Sequence, residues 1–453
     1  MTTTAMPLRY PDRGSPAVMA RRGWWLLAVT LLLPGSAQVL AGSRRLGRIG
    51  LVSTFALWAM LLLAALLTLV APSIVSTVAT LDSTLLVVQA ALIGYGALWL
   101  LLTLDTLRLV RLVRVTGRGR GVLALAAAVV IVVSTGSAGY GAYVIGVSRG
   151  LFSTVFGDGV LADPVDGRYN ILLLGGDAGE DRDGARPDSI SLVSIDATSG
   201  AATIIGLPRN LQNIPFPDDS PMSTLYPDGY PPEDCNVSQC ELNSIYTEVQ
   251  LKSPELYPDA EARGSLPGIE AMRDAVRGIL GVPVQYFVSI DMQGFSDLVD
   301  ALGGIDVTYP GPDDLPLGGV LDENGDLDGV NAWVVPGDHR FDGSNALAYA
   351  RSRYGSSGGD YDRMVRQRQV QEAILQQFEP VNVLTKFQGI AQAGSTLVTT
   401  DLPQAALGGF VQLAMKTKTL PLATLELTPP EVDPADPDYD KIRAEVAELL
   451  GAS

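Results

Sequence analysis

Tyr169-Asn170-Ile171-Leu172-Leu173-Leu174-Gly175 is a short, almost wholly apolar run that predicts a buried β-strand. Two more strands are predicted at residues 189–195 and 202–205. The polar turn Asp196-Ala197-Thr198-Ser199-Gly200 joins them, so we expect an antiparallel hairpin. These three strands begin a domain of the α/β class.

The residues that follow alternate between helical and strand patterns. Helices are predicted at residues 269–280, 294–302, 343–351, 360–378 and 403–415, and strands at residues 284–290, 305–309 and 423–427. Residues 207–267 form a long loop-rich region, and loops of this length are usually functional. The alternation favours a mixed sheet that is covered on both faces.

Charge divides the chain near residue 150. The first 150 residues contain 13 arginines, no lysine and three acidic residues, whereas the remainder contains 46 acidic residues against 19 basic ones, a formal charge of −27. Nucleic-acid binding requires a basic surface that neutralises phosphates. The charge of the second part therefore excludes nucleic acid as a partner.

The arginine-rich part is also strongly apolar. Residues 50–71, 85–104 and 122–145 are long and apolar enough to cross a bilayer, and a fourth apolar segment, residues 24–41, is interrupted by Leu33-Pro34-Gly35-Ser36. If this fourth segment enters and returns at its Pro-Gly break, twelve flanking arginines are cytoplasmic and the acidic domain lies outside. The alternative is an ordinary first transmembrane helix, with the N-terminus placed against the positive-inside rule.

These patterns predict a multi-pass protein of the cytoplasmic membrane with an extracytoplasmic catalytic domain. The expected segments are a cytoplasmic tail (residues 1–22), three to four transmembrane helices (23–146), a linker (147–168), a catalytic core (169–378), and C-terminal helices with a closing strand (379–453). The two cysteines of the chain, Cys235 and Cys240, are spaced to close a small disulfide loop in an oxidising compartment. Two free buried thiols are the alternative.

Two aspartates and an arginine are predicted to meet at one edge of the sheet. Asp177 follows the first strand, Asp188 begins the second and Arg209 follows the third. Two carboxylates at one edge repel each other unless a positive charge, such as a divalent cation, lies between them. Alternatively, both aspartates cap turns in an acidic loop that also contains Asp181 and Asp183.

Five arginines within residues 351–368 predict a second cluster: Arg351, Arg353, Arg363, Arg366 and Arg368. The planar guanidinium group suits phosphate oxygens because it donates two parallel hydrogen bonds. In the predicted helix, Asp360, Arg363 and Gln367 share one face. Arg368 lies off that face, so its replacement is expected to be nearly silent. The alternative interpretation is a solvated charged face.

The ordered motifs of the chain resemble those of the LytR-CpsA-Psr family over residues 168–378. They are Asn170-Ile-Leu-Leu-Leu-Gly175-Gly-Asp177, Arg186-Pro-Asp188-Ser, Leu207-Pro208-Arg209, Leu242-Asn243-Ser-Ile-Tyr246, Gly303-Gly304-Ile-Asp306-Val, and Tyr349-Ala-Arg351-Ser-Arg353 through Gly359-Asp360-Tyr-Asp-Arg363 to Arg366-Gln367. The resemblance implies a three-layer αβα fold. It also implies a transferase that moves a glycan phosphate from a polyprenyl-diphosphate-linked glycan donor to a sugar hydroxyl of the peptidoglycan acceptor, at the membrane lipid surface.

The resemblance also assigns roles to residues of this chain. It implies Mg²⁺ (or Mn²⁺) at Asp177 and Asp188, and catalytic roles for Arg209 and Arg363, with Asp360 as a supporting acid or base. The implied diphosphate contacts are Arg186, Arg209, Arg351, Arg353, Arg363 and Gln367. The chain departs from the family pattern at Asn210, where an aspartate is usual, at Glu241, where a lysine is frequent, and in its number of apolar helices.

Two alternative functions remain open at this point. In a polyprenyl-diphosphate hydrolase, water takes the place of the sugar hydroxyl in the same site. In a non-catalytic lipid-glycan receptor or regulator, the arginines bind the diphosphate and no reaction follows. The presence of both aspartates together with the arginines favours catalysis.

Overall fold

A computed structural model of the chain describes residues 8–9, 11–12, 14–71, 75, 78, 81–157, 161–177, 186–321, 327–355, 358–378 and 398–451. The chain forms two compact units, Met1–Gly150 and Leu151–Ser453. Each unit has its own hydrophobic clusters.

The described residues of the first unit form helices and the turns that join them. Its helices are α1 (Pro16–Leu32), α2 (Ser36–Ala41), α3 (Arg44–Val70), α4 (Asp82–Val110) and α5 (Gly117–Val155), which continues past the end of the unit. Among the described residues, three helical segments are long and apolar enough to cross a membrane, Arg44–Val70, Asp82–Arg114 and Gly117–Gly150. They include the three uninterrupted apolar segments of the sequence.

The interrupted segment folds as two helices, α1 and α2, that both pack against α4. The break falls at Pro34-Gly35, where Gly35 has a φ of 100°. In α1, the hydroxyl of Thr30 is hydrogen-bonded to that of Thr106 in α4 (Oγ1 to Oγ1, 2.9 Å). In α2, the side-chain amide of Gln38 donates to the carbonyl of Leu102 in α4 (2.8 Å).

Both ends of this helical pair lie at the same end of α4. A Cβ atom added at Gly23 would lie 3.0 Å from Val110, and one added at Gly42 would lie 2.7 Å from Leu109. These contacts lie between Leu102 and Val110 of α4, which is about 12 Å along a helix at 1.5 Å per residue.

The strands that the structure describes lie in the second unit. They are β1 (Arg168–Asp177), β2 (Arg186–Asp196), β3 (Ala202–Leu207), β4 (Tyr286–Asp291), β5 (Ile305–Tyr309), β6 (Leu315–Leu321), β7 (Leu327–Val334), β8 (Gly337–Phe341), β9 (Val398–Thr400) and β10 (Ala423–Glu426). Six of them form a sheet in the order β10-β3-β2-β1-β4-β9. Strand pairs β10–β3 and β1–β4 are parallel and the others antiparallel, so the sheet is mixed as predicted.

Helices cover this sheet on both faces. They are α6 (Pro221–Leu225), α7 (Leu242–Lys252), α8 (Pro267–Leu280), α9 (Met292–Leu302), α10 (Gly343–Arg351), α11 (Asp360–Gln377), α12 (Leu407–Thr417) and α13 (Tyr439–Gly451). On one face, Leu172 and Leu192 pack with Ile279 of α8. On the other face, Tyr169 packs with Leu413 of α12. The alternation of side chains along each strand thus supplies two apolar faces and gives the αβα layering.

A third hydrophobic cluster lies under α9, α10 and α11. It joins Val299, Tyr349 and Val370 of these helices to Ile305 of β5 and Phe341 of β8. β5 and β8 form a separate two-stranded sheet, and β6 and β7 form a second one. The predicted strand at residues 305–309 therefore exists but lies outside the central sheet.

The loop-rich interpretation of residues 207–267 was wrong in part, because α6 and α7 lie within them. α7 has no clear apolar stripe, since its buried side chains include Asn243, Thr247 and Glu248. The β6–β7 pair was also missed. Its glycines Gly318 and Gly329 have φ values of 77° and 72°, conformations that glycine adopts freely and that a sequence pattern assigns to turns.

Candidate active site

The candidate site lies at one end of the central sheet. β1 ends at Asp177, which pairs with Arg186 at the start of β2. β3 pairs Leu207 with Ile190 and is followed two residues later by Arg209. The topology of the first three strands therefore brings Asp177, Asp188 and Arg209 to the same edge, as their strand positions predict.

A β-bulge gives Asp188 its position. Gly175 pairs with Ser189 and Gly176 with Pro187, so Asp188 is an extra residue in β2. A bulge bends its strand and redirects the side chain at that point. The carboxylate of Asp188 contacts the guanidinium of Arg209 (Oδ1 to Nη1, 2.5 Å).

Asp360 is shared by three arginines. It lies at the first position of α11, and its Oδ2 atom is 3.0 Å from Arg363 Nη2 and 3.5 Å from Arg209 Nε. Its Oδ1 atom is 3.5 Å from Nε of Arg353. Asp188 and Asp360 thus hold Arg209, Arg353 and Arg363 together at this end of the sheet.

Arg363 is buried to an unusual degree for an arginine. Only 3% of the residue is exposed, and its Nε atom has no hydrogen-bond partner among the described residues. Burial lowers the pKa of Arg363 to about 10 although Asp360 opposes the shift. The group remains charged at neutral pH, and a buried charge with an unused donor favours an anionic ligand.

Arg209 shows the opposite balance. Burial alone would lower the pKa of Arg209, but the carboxylates of Asp188 and Asp360 outweigh that effect and raise it. This guanidinium is therefore held firmly by acidic partners. Among the described residues, Arg209 thus forms ion pairs with two carboxylates and Arg363 with one, that of Asp360.

Buried hydrogen bonds hold the loop between α10 and α11 in place. Arg366 is buried and donates from Nη2 to the carbonyl of Ser352, whose hydroxyl donates to the carbonyl of Pro316 (2.7 Å). Burial lowers the pKa of Arg366. Arg366 thus supports the loop that carries Arg353, and it was not among the predicted ligand contacts.

The other predicted ligand contacts lie around this centre. Arg351 is exposed, with Nη1 2.7 Å from Sδ of Met292, and the amide of Gln367 donates to the carbonyl of Ala350 (3.4 Å). Arg186 turns toward the loop between the two cysteines. The structure thus groups Arg209, Arg353 and Arg363 with both described carboxylates, and places Arg351, Arg186 and Gln367 in separate contacts.

Glu241 is a site residue whose role sequence reasoning missed. It precedes α7, and it interacts electrostatically with Arg209, Arg186 and Asp360. Burial raises the pKa of Glu241, the two arginines counteract this in part, and Asp360 adds to it. The sequence signal was the departure from the usual lysine at this position.

The interpretation of Arg368 as a neutral control position was wrong. Arg368 is buried (7% exposed), and its Nε atom lies 2.6 Å from Glu426 of β10. It also donates to the hydroxyl of Ser191 in β2 (3.4 Å). Gly206 leaves the space for this ion pair, since a Cβ atom there would collide with both side chains. Arg368 is off the Arg363 face as predicted, but that position faces the sheet and not water.

The donor chemistry of the edge suits a hard divalent cation. Asp177 and Asp188 stand on paired strands near the bulge, and of Asp177 the structure describes the backbone only. Asp188 uses Oδ1 for Arg209, while its Oδ2 atom accepts no hydrogen bond from the described residues. Mg²⁺ is typically held by one or two carboxylates, with water and phosphate oxygens completing its shell.

The chain matches a protein-family model over most of its second unit. The model of the LytR_cpsA_psr family covers residues 156–435. The chain belongs to the LytR-CpsA-Psr family. Curated relatives include the polyisoprenyl-teichoic acid–peptidoglycan teichoic acid transferases TagU of Enterococcus faecalis and TagV of Bacillus subtilis, which are 28% and 29% identical over 52% and 39% of this chain.

These relatives are matched over part of their length, 61% of the E. faecalis protein and 46% of the B. subtilis protein. Biofilm regulatory protein A of Streptococcus mutans is 27% identical over 58% of each chain. Two solved LytR-CpsA-Psr-like structures are TagV of B. subtilis (21% identity, TM-score 0.42, 63% of this chain and 97% of that one) and TagT bound to LIIa-WTA (22%, 0.41, 64% and 94%).

The departures from the LytR-CpsA-Psr pattern leave the arginine group intact. Asn210 has a buried Oδ1 atom without a hydrogen-bond partner among the described residues. Glu241 adds a carboxylate where the pattern has a positive charge. Both changes lie beside Arg209, so they alter the surroundings of the three arginines and not the arginines themselves.

Proposed function

We propose that this chain is a membrane-anchored transferase that moves a glycan phosphate from a polyprenyl-diphosphate-linked glycan to a peptidoglycan sugar hydroxyl. Membership of the LytR-CpsA-Psr family and the printed names of the TagU and TagV relatives support transfer of a cell-wall glycopolymer. The phosphate chemistry rests on the site itself.

Arg363 is the observation that carries the proposal. Its buried guanidinium keeps an unused donor at Nε, and two further arginines share its acidic partner Asp360. A buried guanidinium group with a donor that no described residue uses is unfavourable unless a ligand compensates it. A diphosphate is the match, because its oxygens accept the paired hydrogen bonds that guanidinium groups donate.

The reaction exchanges one phosphorus–oxygen bond for another. The acceptor hydroxyl oxygen bonds to the phosphorus that carries the glycan, the bond from that phosphorus to the bridging oxygen breaks, and polyprenyl phosphate leaves. Arg209, Arg353 and Arg363 stabilise the charge that develops on the phosphate oxygens. A divalent cation held by Asp177 and Asp188 would add Lewis-acid stabilisation of the same charge.

We propose that Glu241 is the general base that accepts the proton of the attacking hydroxyl. Both oxygens of Asp360 lie against arginines, so its main work is to hold Arg209, Arg353 and Arg363 together. The carboxylate of Glu241 accepts no hydrogen bond from the part of the chain that the structure describes. Its raised pKa brings it nearer to the range of a general base.

We further propose that the second unit lies outside the cytoplasmic membrane. The α1–α2 pair returns to the end of α4 from which it entered, so it does not contribute a crossing. Three crossings by α3, α4 and α5 then separate the arginine-rich loops from residues 151–453. This arrangement satisfies the positive-inside rule for both arginine-rich loops.

A reporter that is active only in the cytoplasm, fused after Ser453, tests this topology. No activity is expected from it, whereas a matched fusion after Thr116, between α4 and α5, should be active. Activity after Ser453 would place the domain inside, and it would also remove the proposed substrate from reach.

Product analysis tests the reaction. Full-length protein in lipid nanodiscs is incubated with a polyprenyl-diphosphate glycan and nascent peptidoglycan, and the products are separated by mass. Transfer yields glycan phosphate on peptidoglycan together with polyprenyl phosphate. Free glycan phosphate would instead identify a hydrolase, and unchanged donor bound to the protein would identify a receptor.

A further inference from the structure

The two cysteines close a six-residue ring beside the candidate site. Cys235 and Cys240 are joined by a disulfide, and the backbone N–H of Cys235 donates to Sγ of Cys240 (3.2 Å). We call residues 235–240 the disulfide loop. Glu241 and α7 follow it directly.

The outer side of the disulfide loop holds Arg186. Nη1 of Arg186 donates to Oε1 of Gln239 (3.1 Å), and Nη2 donates to the hydroxyl of Ser238 (3.3 Å). Both acceptors are neutral. They fix the direction of the guanidinium group without adding a negative charge beside it; the carboxylate that acts on Arg186 electrostatically is that of Glu241, which follows the disulfide loop.

The inner side of the disulfide loop is anchored in the core. The amide of Asn236 donates to Oε1 of Glu248 (3.0 Å), whose side chain is fully buried. The hydroxyl of Tyr230 donates to Oε2 of Glu248 (2.7 Å), and that of Tyr226 donates to Oε1. Burial raises the pKa of both tyrosines, so their hydroxyl groups stay protonated as donors.

These contacts connect the core to Arg186 through a closed ring. Moving the ring would leave the Glu248 carboxylate buried with fewer donors, which is unfavourable. The short covalent ring also limits the conformations open to Ser238 and Gln239, so little entropy is lost when they hold Arg186. Such an arrangement positions a side chain more precisely than an open loop does.

We propose that Ser238 and Gln239 are positioning residues that hold Arg186 against the diphosphate of the substrate. The inference rests on the proposed function, in which Arg186 is one of the diphosphate contacts. The disulfide loop thus acts on binding through Arg186 alone.

A double-mutant cycle tests this coupling. Full-length protein in nanodiscs is titrated with farnesyl diphosphate by calorimetry, and thermal unfolding of each variant is recorded. We expect Arg186→Ala to weaken binding by roughly tenfold or more, as for a charged hydrogen bond, and Gln239→Ala by about two- to tenfold, as for a neutral one. In the Arg186→Ala background, Gln239→Ala should have no further effect.

Ser238→Ala should repeat the pattern of Gln239→Ala, and Gln376→Ala, at an exposed glutamine that contacts Glu372, is the matched control with unchanged affinity. If Arg186→Ala weakens binding but Gln239→Ala does not, or if the effect of Gln239→Ala persists without Arg186, the positioning inference alone is wrong. If Arg186→Ala itself leaves affinity unchanged, the diphosphate assignment of Arg186 fails and takes the inference with it.

Discussion

Replacing Arg363 by lysine separates charge from geometry at the candidate site. The guanidinium contacts Asp360 Oδ2 (3.0 Å) and the carbonyl of Asp188 (3.5 Å) through the same Nη2 atom. A lysine ammonium at that position keeps the charge and can satisfy the Asp360 contact. It has no second donor, so it cannot give a ligand the paired hydrogen bonds of a guanidinium group.

The expected loss is that of one charged hydrogen bond to a phosphate oxygen. Such a bond contributes about 1.5 to 3 kcal/mol. At about 1.4 kcal/mol per factor of ten, Arg363→Lys should weaken diphosphate binding or transfer by roughly ten- to a hundredfold. Long-range electrostatics barely change, because the net charge of the site is preserved.

Affinity for farnesyl diphosphate and the rate of glycan transfer are measured on the same preparation, together with the midpoint of thermal unfolding. Arg263→Lys is the matched control, since the Arg263 side chain is 60% exposed and its ion pair with Glu270 is 3.7 Å long. That variant should retain full affinity and activity. Full affinity and transfer in Arg363→Lys would refute the requirement for a guanidinium group at this position.

Three other outcomes are expected. Arg368→Ala should destabilise the domain by about 3 kcal/mol in chemical denaturation, because Glu426 then loses its buried partner; a change under 0.5 kcal/mol would return Arg368 to a surface role. Because the pKa of Glu241 is raised, the folded chain binds more protons than the unfolded chain at pH values between the ordinary and the raised pKa. The contribution of Glu241 to the free energy of unfolding therefore falls as pH rises through that window. Glu241→Gln should remove this fall, and it should also remove the acidic limb of the pH–rate profile. Asp188→Ala should abolish Mn²⁺ binding seen by electron paramagnetic resonance, while Asp306→Ala should keep it; equal Mn²⁺ binding in both variants would exclude Asp188 as a ligand.

The strand pattern was accessible from the sequence because each core strand carries its own signal. Tyr169 to Gly175 is apolar throughout, and the turn at Asp196 to Gly200 fixes the direction of the next pair, so three neighbouring strands and the edge shared by Asp188 and Arg209 followed from local chemistry. The helix from Pro267 to Leu280 was equally visible, since Gly281 ends it with a φ of 70°. Such features depend on residues close in the chain.

The sequence left several site contacts undetermined because they join residues far apart in the chain. The pairing of Arg368 with Glu426 joins α11 to β10, and a helical face alone does not show whether it meets water or a sheet. The contact of Arg186 with Gln239 likewise depends on how residues 207–267 fold back on β2. Charge and spacing gave no signal for either.

The sequence by itself determined that this protein has an apolar, arginine-flanked part, an acidic α/β domain and a cluster of arginines suited to phosphate. These features follow from composition and from the periodicity of apolar residues, which are local properties of the chain. That residues 24–41 form two helices packed against α4 was decided only by the tertiary structure. The Pro34-Gly35 break allows a continuous or a folded-back arrangement, and hydrogen bonds of Thr30 and Gln38 to α4 hold the folded-back pair. Tertiary packing also decided that Arg363 is buried with a free donor, since burial is a property of the neighbours that surround a residue and not of the residue itself.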